Sequence, residues 1–548
     1  GCGEQSGGGG ERDRDGGVPR DLAAGDGGPG ADLAPPDLGR EPDLAADLGA
    51  PPPDLARDGG EGDGSAQDGG PPADLDAAPG ADADSAGDGP VDLATDAGTD
   101  GGVVREGTPE VLVEVPLVAS AAYLERQAAY LAACATAAAP GQGRSLYGQV
   151  CRVAQGLPVD PASVEASLER VGRREDTADF HVAALVRLLL LDRRTGALDE
   201  ELRLRIEATL LGFKYWLDEP GRDQMCYWSE NHQILFHSSE LLMGQLFPEA
   251  RFTNDGRTGR EHADHARPLV ARWLDLRGRF GFSEWHSNVY FNEDVPALVN
   301  LADFADDPAV RTRAAMVLDL LAFDLLGNTF AGYLATVHGR TYPNHTVGGL
   351  RDSTREFAWL TTGLGEVGSW TNFSGAFLAT SDGYVPAPLL EDLATVSRVR
   401  HERRQRDGFD VADGPRWGIG YDDPADVVVW AGMVALAAPE VIAGTVALLD
   451  QYDLWEGFLF GDLPPLVRTL LESLRDSGGL VELATEVAPV SRGIALQAMS
   501  TYTWRTPHYQ LSGAQDYRPG SFGAQTHLWQ ATRDREAYVF TSFSCSTQ

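Results

Sequence analysis

Residues 282–290 read Phe-Ser-Glu-Trp-His-Ser-Asn-Val-Tyr and stand at the head of a long apolar run with helical spacing. His286 and Tyr290 are four residues apart, so they share one face if this stretch is helical. A proton acceptor next to a phenol is suited to taking a proton from one position and delivering it to another. The stretch therefore predicts a helix start and a candidate site, for which the rest of the chain is the scaffold.

Two more polar clusters flank this stretch at similar separations. The segment 228–232, Trp-Ser-Glu-Asn-His, ends 54 residues before His286, and the segment 338–342, His-Gly-Arg-Thr-Tyr, begins 52 residues after it. Each cluster lies in or beside a run with helical periodicity. One helical hairpin between successive clusters would bring all three together.

Helical periodicity recurs along the chain after Val103. Paired helices in large number favour a ring of hairpins over a plain bundle, so we predict a mainly α fold, an incomplete α/α toroid. The predicted helices cover residues 116–139, 161–171, 180–192, 200–217, 230–247, 260–280, 293–305, 308–330, 388–405, 424–436, 439–450 and 463–476.

From Ile494 onward the pattern changes to short aromatic and β-branched runs separated by Pro and Gly, which predict strands. These runs lie at residues 501–504, 509–511, 527–532 and 538–541. Four strands without closing partners make a poor stand-alone sheet. We therefore expect either the start of a truncated β-sandwich or an edge layer on the helical ring. The predicted domains are residues 1–105, 106–493 and 494–548: a tether, a toroid catalytic domain and a β region.

The tether is predicted from composition. Residues 1–100 carry 24 acidic residues against five arginines, half of the net charge of −38. A segment of Gly, Asp, Pro and Ala with scattered Leu cannot bury enough apolar surface to offset its ordering entropy, so it is expected to be disordered. A spacer and an acidic interaction tail are the two interpretations of this low-complexity segment.

The chain opens Gly1-Cys2-Gly3 ahead of the tether, which resembles a bacterial lipoprotein after removal of its signal peptide. That resemblance implies a lipid on Cys2 and a place in the cell envelope, lipid-anchored or secreted. No apolar run is long enough for a spanning helix, so the lipid would be the attachment to the membrane. Cys134 and Cys151 are either a disulfide or buried free thiols.

Charge and motifs exclude two classes of function. The chain is acidic and has no basic stripe, so we expect no nucleic-acid binding. It contains no Gly-x-Ser-x-Gly sequence, so acyl transfer by a nucleophile elbow has no support.

The polar clusters suit a different chemistry. Breaking a glycosidic bond beside a uronic acid by β-elimination needs an amide or arginine to neutralise the carboxylate. It also needs a neutral histidine or tyrosinate to take the C5 proton and a tyrosine to protonate the leaving oxygen. The chain offers Asn231, His286, Tyr290 and Arg340 in that order.

In this order of residues the chain resembles the α/α-toroid polysaccharide lyases of the chondroitin AC, hyaluronate and alginate type, and the heparinase II/III-like lyases share the helical toroid. The resemblance implies that Asn231 and Arg340 hold the uronate carboxylate, that His286 is the base, and that Tyr290 or Tyr342 is the acid. It implies no cofactor and an acidic polysaccharide as partner. Substrate contacts are expected from Glu230, His232, Trp285, His338 and Tyr342.

Three alternatives remain open. An inverting glycoside hydrolase would need a carboxylate pair, and the available acids are Glu230, Glu284, Glu293, Asp294 and Glu366. A non-catalytic surface glycan-binding lipoprotein is the second alternative. The pairs His262/His265 and His232/His237 lie about one helical turn apart, but without a His-Glu-x-x-His pattern we expect no catalytic metal. A structural calcium or zinc stays open.

Overall fold

The computed structural model describes residues 119–141, 145–346, 349–395, 400–457, 461, 464–491, 497–515 and 527–542. The predicted tether and Cys2 lie outside the described residues. Among the described helices, none combines the length and apolarity that crossing a membrane requires.

The described part of the chain is mainly helical, as predicted. Its helices begin where the sequence supplies caps: the Ser120 and Ser145 side chains accept first-turn N–H groups, and Thr258 forms a capping box with Glu261. The helices are α1 Ala121–Ala137, α2 Leu146–Ala154, α3 Pro161–Arg173, α4 Ala178–Thr195, α5 Glu200–Leu211, α6 Glu230–Leu246, α7 Gly259–Phe280, α8 Phe291–Phe304, α9 Pro308–Gly327, α10 Pro343–Thr346, α11 Arg355–Thr362, α12 Phe373–Ala379, α13 Pro388–Thr395, α14 Pro424–Gly432, α15 Ile442–Gln451, α16 Pro465–Ser477 and α17 Leu480–Ser491.

Five helices contact one another in a cycle. α2 contacts α4, α4 contacts α6, α6 contacts α8, α8 contacts α12, and α12 contacts α2. Most of them also pack against a sequence neighbour: α3 and α5 contact α4, α7 contacts α6, α9 contacts α8, and α1 contacts α2 and α12. One large apolar core runs through these helices. A disulfide between Cys134 and Cys151 joins α1 to α2, which decides between the two states predicted for these cysteines.

The strands are β1 Thr329–Phe330, β2 Tyr333–Leu334, β3 His401–Asp407, β4 Met499–Arg505, β5 Gln510–Gln515, β6 His527–Asp534 and β7 Ala537–Ser542. β1 and β2 form a small hairpin, and β3 to β7 form one antiparallel sheet in that spatial order. The four strands predicted after Ile494 are confirmed. The fifth strand of the sheet, β3, comes from within the range predicted to be helical.

The predicted helix over residues 388–405 is therefore wrong beyond Thr395. β3 pairs along its full length with β4, from His401 opposite Arg505 to Asp407 opposite Met499. Its sequence, His-Glu-Arg-Arg-Gln-Arg-Asp, shows no strand propensity. The pairing with β4 outweighs that local preference.

The sheet rests on the chain segment that follows α9. The Thr503 hydroxyl donates to Asn328 Oδ1 (2.8 Å), the Arg505 guanidinium to the Thr329 carbonyl (2.7 Å), and the Gln510 amide to the Ala335 carbonyl (2.6 Å). An isolated bridge also joins His338 to His527. The described sheet thus contacts the helical part through these polar side chains and through Met499, which packs on Trp285 and Val337.

Candidate functional site

The first turns of the five helices in the contact cycle meet at one end. The Tyr147 ring beside the start of α2 stacks on Phe373 of α12 (4.1 Å between centroids), and Phe180 of α4 stacks on His232 of α6 (5.1 Å). The Ser374 N–H of α12 donates to Asn292 Oδ1 of α8 (3.3 Å). We call this region the N-terminal cluster; it is where the predicted Asn231 and His232 lie.

His232 is fixed by a carboxylate that sequence analysis missed. Its Nδ1 lies 2.7 Å from Asp179 Oδ2, and both side chains are buried. Burial disfavours the imidazolium and is the largest single influence, but the charge and the hydrogen bond of Asp179 together with the charge of Asp176 raise the pKa of His232 above its usual value. The Nε2 atom is buried and has no hydrogen-bond partner among the described residues. Asp179 therefore fixes the orientation of the His232 ring through Nδ1, and Nε2 is left without a hydrogen-bond partner among the described residues.

Two further unsatisfied polar atoms belong to the same cluster. The Asn231 oxygen accepts from the Ser229 hydroxyl (2.6 Å), whereas its buried Nδ2 has no partner within the described chain. Glu293 receives a hydrogen bond from Asn292 on Oε1 (3.0 Å), and its Oε2 is equally unpartnered there. Burial raises the pKa of Glu293 to about 8, so its carboxyl group is protonated at neutral pH. Unsatisfied buried polar groups are rare, and several together mark a site built for a ligand.

Arg340 and two tyrosines form a second part of the cluster. The Arg340 guanidinium lies over the Tyr290 ring, 4.1 Å from its centroid, and forms an ion pair with Glu284. The hydroxyls of Tyr290 and Tyr342 are hydrogen-bonded to each other. Burial raises the pKa of Tyr290 far above its usual value, so it remains a phenol. The Arg340 charge also opposes protonation of His232, which places the two groups within electrostatic reach.

The segments 285–290 and 338–342 are bonded to each other. The Gly339 N–H donates to the Trp285 carbonyl (2.8 Å), and the Ser287 hydroxyl donates to the Arg340 carbonyl (2.8 Å). A Cβ at position 339 would lie 2.6 Å from the Trp285 ring, so the close approach requires glycine. The two clusters that the sequence placed on successive hairpins are thus joined, and Arg340 is held beside Tyr290.

His286 is turned away from these groups. Residues 282–290 form turns, and α8 begins only at Phe291, so the helical spacing proposed for His286 and Tyr290 does not apply. His286 adopts a left-handed φ of 49°, and its Nε2 lies 3.3 Å from both Gln405 and Asn328, on the side of the sheet. Burial lowers its pKa to about 3. The expected base is neutral, but it faces amides and not the phenols.

Other predicted contact residues are buried in supporting positions. Trp285 packs with Val337 and Met499 in a small apolar cluster, so its ring does not face solvent. His338 Nδ1 donates to the His286 carbonyl (2.5 Å). Glu230 accepts from the Ser283 hydroxyl (2.5 Å) and forms an ion pair with Arg277. Of the predicted contact residues, only Tyr342 is partly exposed.

Comparison with protein-family models, with curated proteins and with solved structures finds no match for this chain. The geometry of the site is therefore the basis for assigning its chemistry.

The carboxylates considered for hydrolysis have different surroundings, and Asp294 interacts with both Glu284 and Glu293. Glu230 and Glu284 are neutralised by Arg277 and Arg340. Glu366 is exposed and bound to Arg535 (2.6 Å). Glu293 alone among the five faces His232 and Asp179 closely enough to interact with both. Outside the N-terminal cluster, a group with the spacing of metal ligands lies further along α6; it consists of Glu219, Glu240 and His262.

Proposed function

We propose that the protein is a polysaccharide lyase that cleaves a uronic-acid-containing polysaccharide by β-elimination. The observation that carries the proposal is the convergence of an amide, an imidazole, two phenols and a guanidinium in the N-terminal cluster. Three of the residues that the sequence nominated, Asn231, Tyr290 and Arg340, are among them. The partly exposed Tyr342, Phe180 and Glu293 offer the side from which a sugar chain reaches the buried groups.

We infer that the helices form an α/α toroid. The cycle of contacts from α2 through α4, α6, α8 and α12 back to α2 supports a closed inner ring. Partner helices such as α3, α7 and α9 pack against individual members of that ring and would form its outer layer. A toroid would agree with the lyase superfamily suggested by the order of polar residues.

An anionic substrate fits the direction of the ring helices. The first turns of α2, α4, α6 and α8 contact one another, so their positive dipole ends point to one region. Arg340 adds a guanidinium to that region, where it is ion-paired with Glu284. A uronate carboxylate would find there hydrogen-bond donors at the helix N-termini, although the chain as a whole is acidic.

The roles follow from the chemistry and the surroundings of each group. Asn231 Nδ2 and Arg340 would hold the carboxylate and stabilise charge on it as the C5 proton leaves. His232, with Nδ1 bonded to Asp179, would take that proton on Nε2. Electrons from the C5–H bond form the C4–C5 double bond, the C4–O bond breaks, and the Tyr290–Tyr342 pair delivers a proton to the leaving oxygen. His286, which the sequence predicted to be the base, faces the sheet and has no role in this mechanism.

An inverting hydrolase is the second candidate, and Glu293 favours it. A carboxyl group with a pKa of about 8 is protonated at neutral pH and is suited to protonate a leaving oxygen. Asp179, which interacts with Glu293, is bound through Oδ2 to His232 and keeps an Oδ1 without a hydrogen-bond partner among the described residues. The lyase assignment gives a role to more residues of the N-terminal cluster than the hydrolase assignment does.

The decisive experiment follows both products of cleavage with a panel of uronate polysaccharides. Elimination produces ultraviolet-absorbing double bonds and reducing ends in equal number, whereas hydrolysis produces reducing ends alone. Equal yields support the lyase. Reducing ends without absorbance would establish the hydrolase, and polysaccharide binding without either product would establish a glycan-binding protein. The exposed-site variant Tyr509→Phe serves as a matched control for tyrosine substitutions.

We also propose that the protein is exported and anchored through a lipid on Cys2. The Cys134–Cys151 disulfide supports an oxidising compartment. Metabolic labelling with a radioactive fatty acid tests the anchor: the protein should carry label, and Cys2→Ser should abolish it. Label retained in Cys2→Ser would refute lipidation at this cysteine.

A further inference from the structure

We propose that Glu219, Glu240 and His262 bind a zinc ion. One ligand atom of each residue lies within 4.8 Å of the others, and all three side chains are buried. They come from three elements: the loop between α5 and α6, the middle of α6, and the first turn of α7. The site is separate from the N-terminal cluster and independent of the proposed lyase activity.

The donor set suits zinc. Zinc in proteins accepts imidazole nitrogen and carboxylate oxygen, and three protein ligands leave a position for water or a fourth side chain. Glu240 Oε1 lies 2.8 Å from His262 Nδ1 and 2.9 Å from His265 Nδ1. A small outward shift of these atoms would admit an ion between them, with His265 as the fourth ligand.

The surroundings of the three residues match those of ligands. His262 Nε2 lies 3.3 Å from Asp255 Oδ1, so a carboxylate supports the ring nitrogen opposite the proposed ligand atom. Metal-binding histidines commonly have such a partner, which fixes the ring and increases its donor strength. Glu219 is held in the same way, by the Tyr215 N–H (2.9 Å) and the Asn254 amide (2.8 Å).

Carboxylates surround both histidines. Both nitrogens of His262 face carboxylates, and His265 Nε2 lies 3.7 Å from Asp218. Arg257 pairs with Asp218, Glu219 and Asp255, so part of this negative charge is already neutralised. A zinc ion on His262 Nδ1 would replace the hydrogen bond to Glu240 and add positive charge beside the two buried glutamates.

A pocket lies beside the proposed site. It has a volume of about 230 Å³ and lies between α6, α7 and α14, and its lining includes His265, Asp218 and His237 but not Glu219, Glu240 or His262. The His237 ring is buried, and its Nδ1 has no hydrogen-bond partner in the described residues. His237 stands one turn before Glu240 on α6, so an additional unsatisfied nitrogen lies beside the proposed site.

The test is a zinc titration of the full chain. The protein is stripped with a chelator, and zinc chloride is added in competition with a chromophoric indicator. We expect one equivalent of zinc to bind more tightly than the indicator, and Glu240→Gln to remove it. Asp255→Asn keeps the three ligands and should weaken binding roughly 10–100-fold, because it removes the carboxylate partner of His262 along with the ion pair to Arg257.

Two measurements keep the result decisive. Circular dichroism establishes that each variant is folded, and X-ray absorption of the zinc-loaded protein should show nitrogen and oxygen ligands without sulfur. Glu402→Gln, at a partly exposed carboxylate on β3, should retain the full equivalent. Failure of the unmodified chain to bind one equivalent, sulfur ligation, or unchanged binding in folded Glu240→Gln would each overturn the proposal.

Discussion

His232 and His286 are both buried, yet they have opposite surroundings. His232 lies in the N-terminal cluster against Asp179, and its pKa is raised. His286 lies on the sheet side against Gln405 and Asn328, and its pKa falls to about 3. The partner determines the difference: a carboxylate stabilises the imidazolium, whereas amides do not repay the cost of burying it. The surroundings of His232 suit proton transfer, whereas those of His286 suit a structural role.

Under the proposed lyase chemistry, replacing the two histidines separately should therefore have very different effects on turnover. We expect His232→Asn to lower kcat by about 10²–10⁴-fold, the usual contribution of a general base. His286→Asn should stay within about tenfold of the parent, because asparagine tolerates a left-handed φ and retains an amide for the polar contacts. Steady-state kinetics on the polysaccharide cleaved by the parent measures both. A large loss in His286→Asn with little loss in His232→Asn would reverse the assignment of the base.

The phenol pair sharpens the comparison on the side of the leaving group. Tyr290→Phe and Tyr342→Phe each remove one hydroxyl of the hydrogen-bonded pair. The variant that loses the proton donor should fall by about 10²-fold or more in kcat, while the other should fall less. Equal, small effects in both variants would show that the pair does not deliver the proton. Tyr509→Phe is the control.

The pH dependence of kcat/KM should reflect the titration of His232. The base is active when neutral, and its pKa is raised, so the acidic limb of the kcat/KM profile should lie above the ordinary histidine value of about 6.5. Asp179→Asn removes the charge that raises this pKa, so the limb should move to lower pH while kcat falls. A limb that stays in place in Asp179→Asn would exclude His232 as the titrating base.

The pH dependence of the free energy of unfolding should reflect the titration of His286. Its pKa is about 3 in the folded protein and about 6.5 when unfolded, so the unfolded chain binds the extra proton between these values. The free energy of unfolding should therefore fall as pH decreases from about 6.5 toward 4. His286→Asn should make this decline shallower in urea titrations at successive pH values. His181 and His338 also have lowered pKa values, so part of the decline should remain.

The smallest effect is expected at Gly339. An added Cβ would meet the Trp285 ring, and such overpacking costs about 1–3 kcal/mol of stability. The substitution Gly339→Ala should lower Tm and shift Arg340 enough to raise KM modestly. Gly278 of α7 is exposed, has no positive φ, and a Cβ there meets nothing, so Gly278→Ala controls for the added methyl group without the clash. Equal losses in the two variants would remove the packing argument.

Most helices were predictable because their signals are local. Apolar periodicity, Pro at Pro161 and Pro308, and cap residues such as Thr258 fix where a helix begins and ends, independently of distant contacts. β3 was missed because its charged sequence becomes a strand only when β4 is beside it. A strand partner nearly 100 residues away cannot be recognised from a short stretch of sequence.

The site was predictable in part for a similar reason. The density of polar and aromatic residues around Asn231, Tyr290 and Arg340 is visible in the sequence. Asp179 was missed because an acidic residue in a first turn is common and usually serves only the helix dipole. The orientation of His286 depends on one left-handed residue in a turn, and histidine there carries no signal that distinguishes it from a helical position.

The contact between α12 and α2 joins the beginning of the helical cycle to a segment made much later. Gln127 of α1 donates to the Leu378 carbonyl across 251 residues, and Arg126 donates to the Leu360 carbonyl across 234. Because a chain leaves the ribosome from its N-terminus, the flank of α1 and α2 that meets α12 stays uncovered while all the intervening hairpins are made. The apolar edge of α1 and α2 therefore stays exposed to water or to a chaperone until α12 has been synthesised and can pack against it.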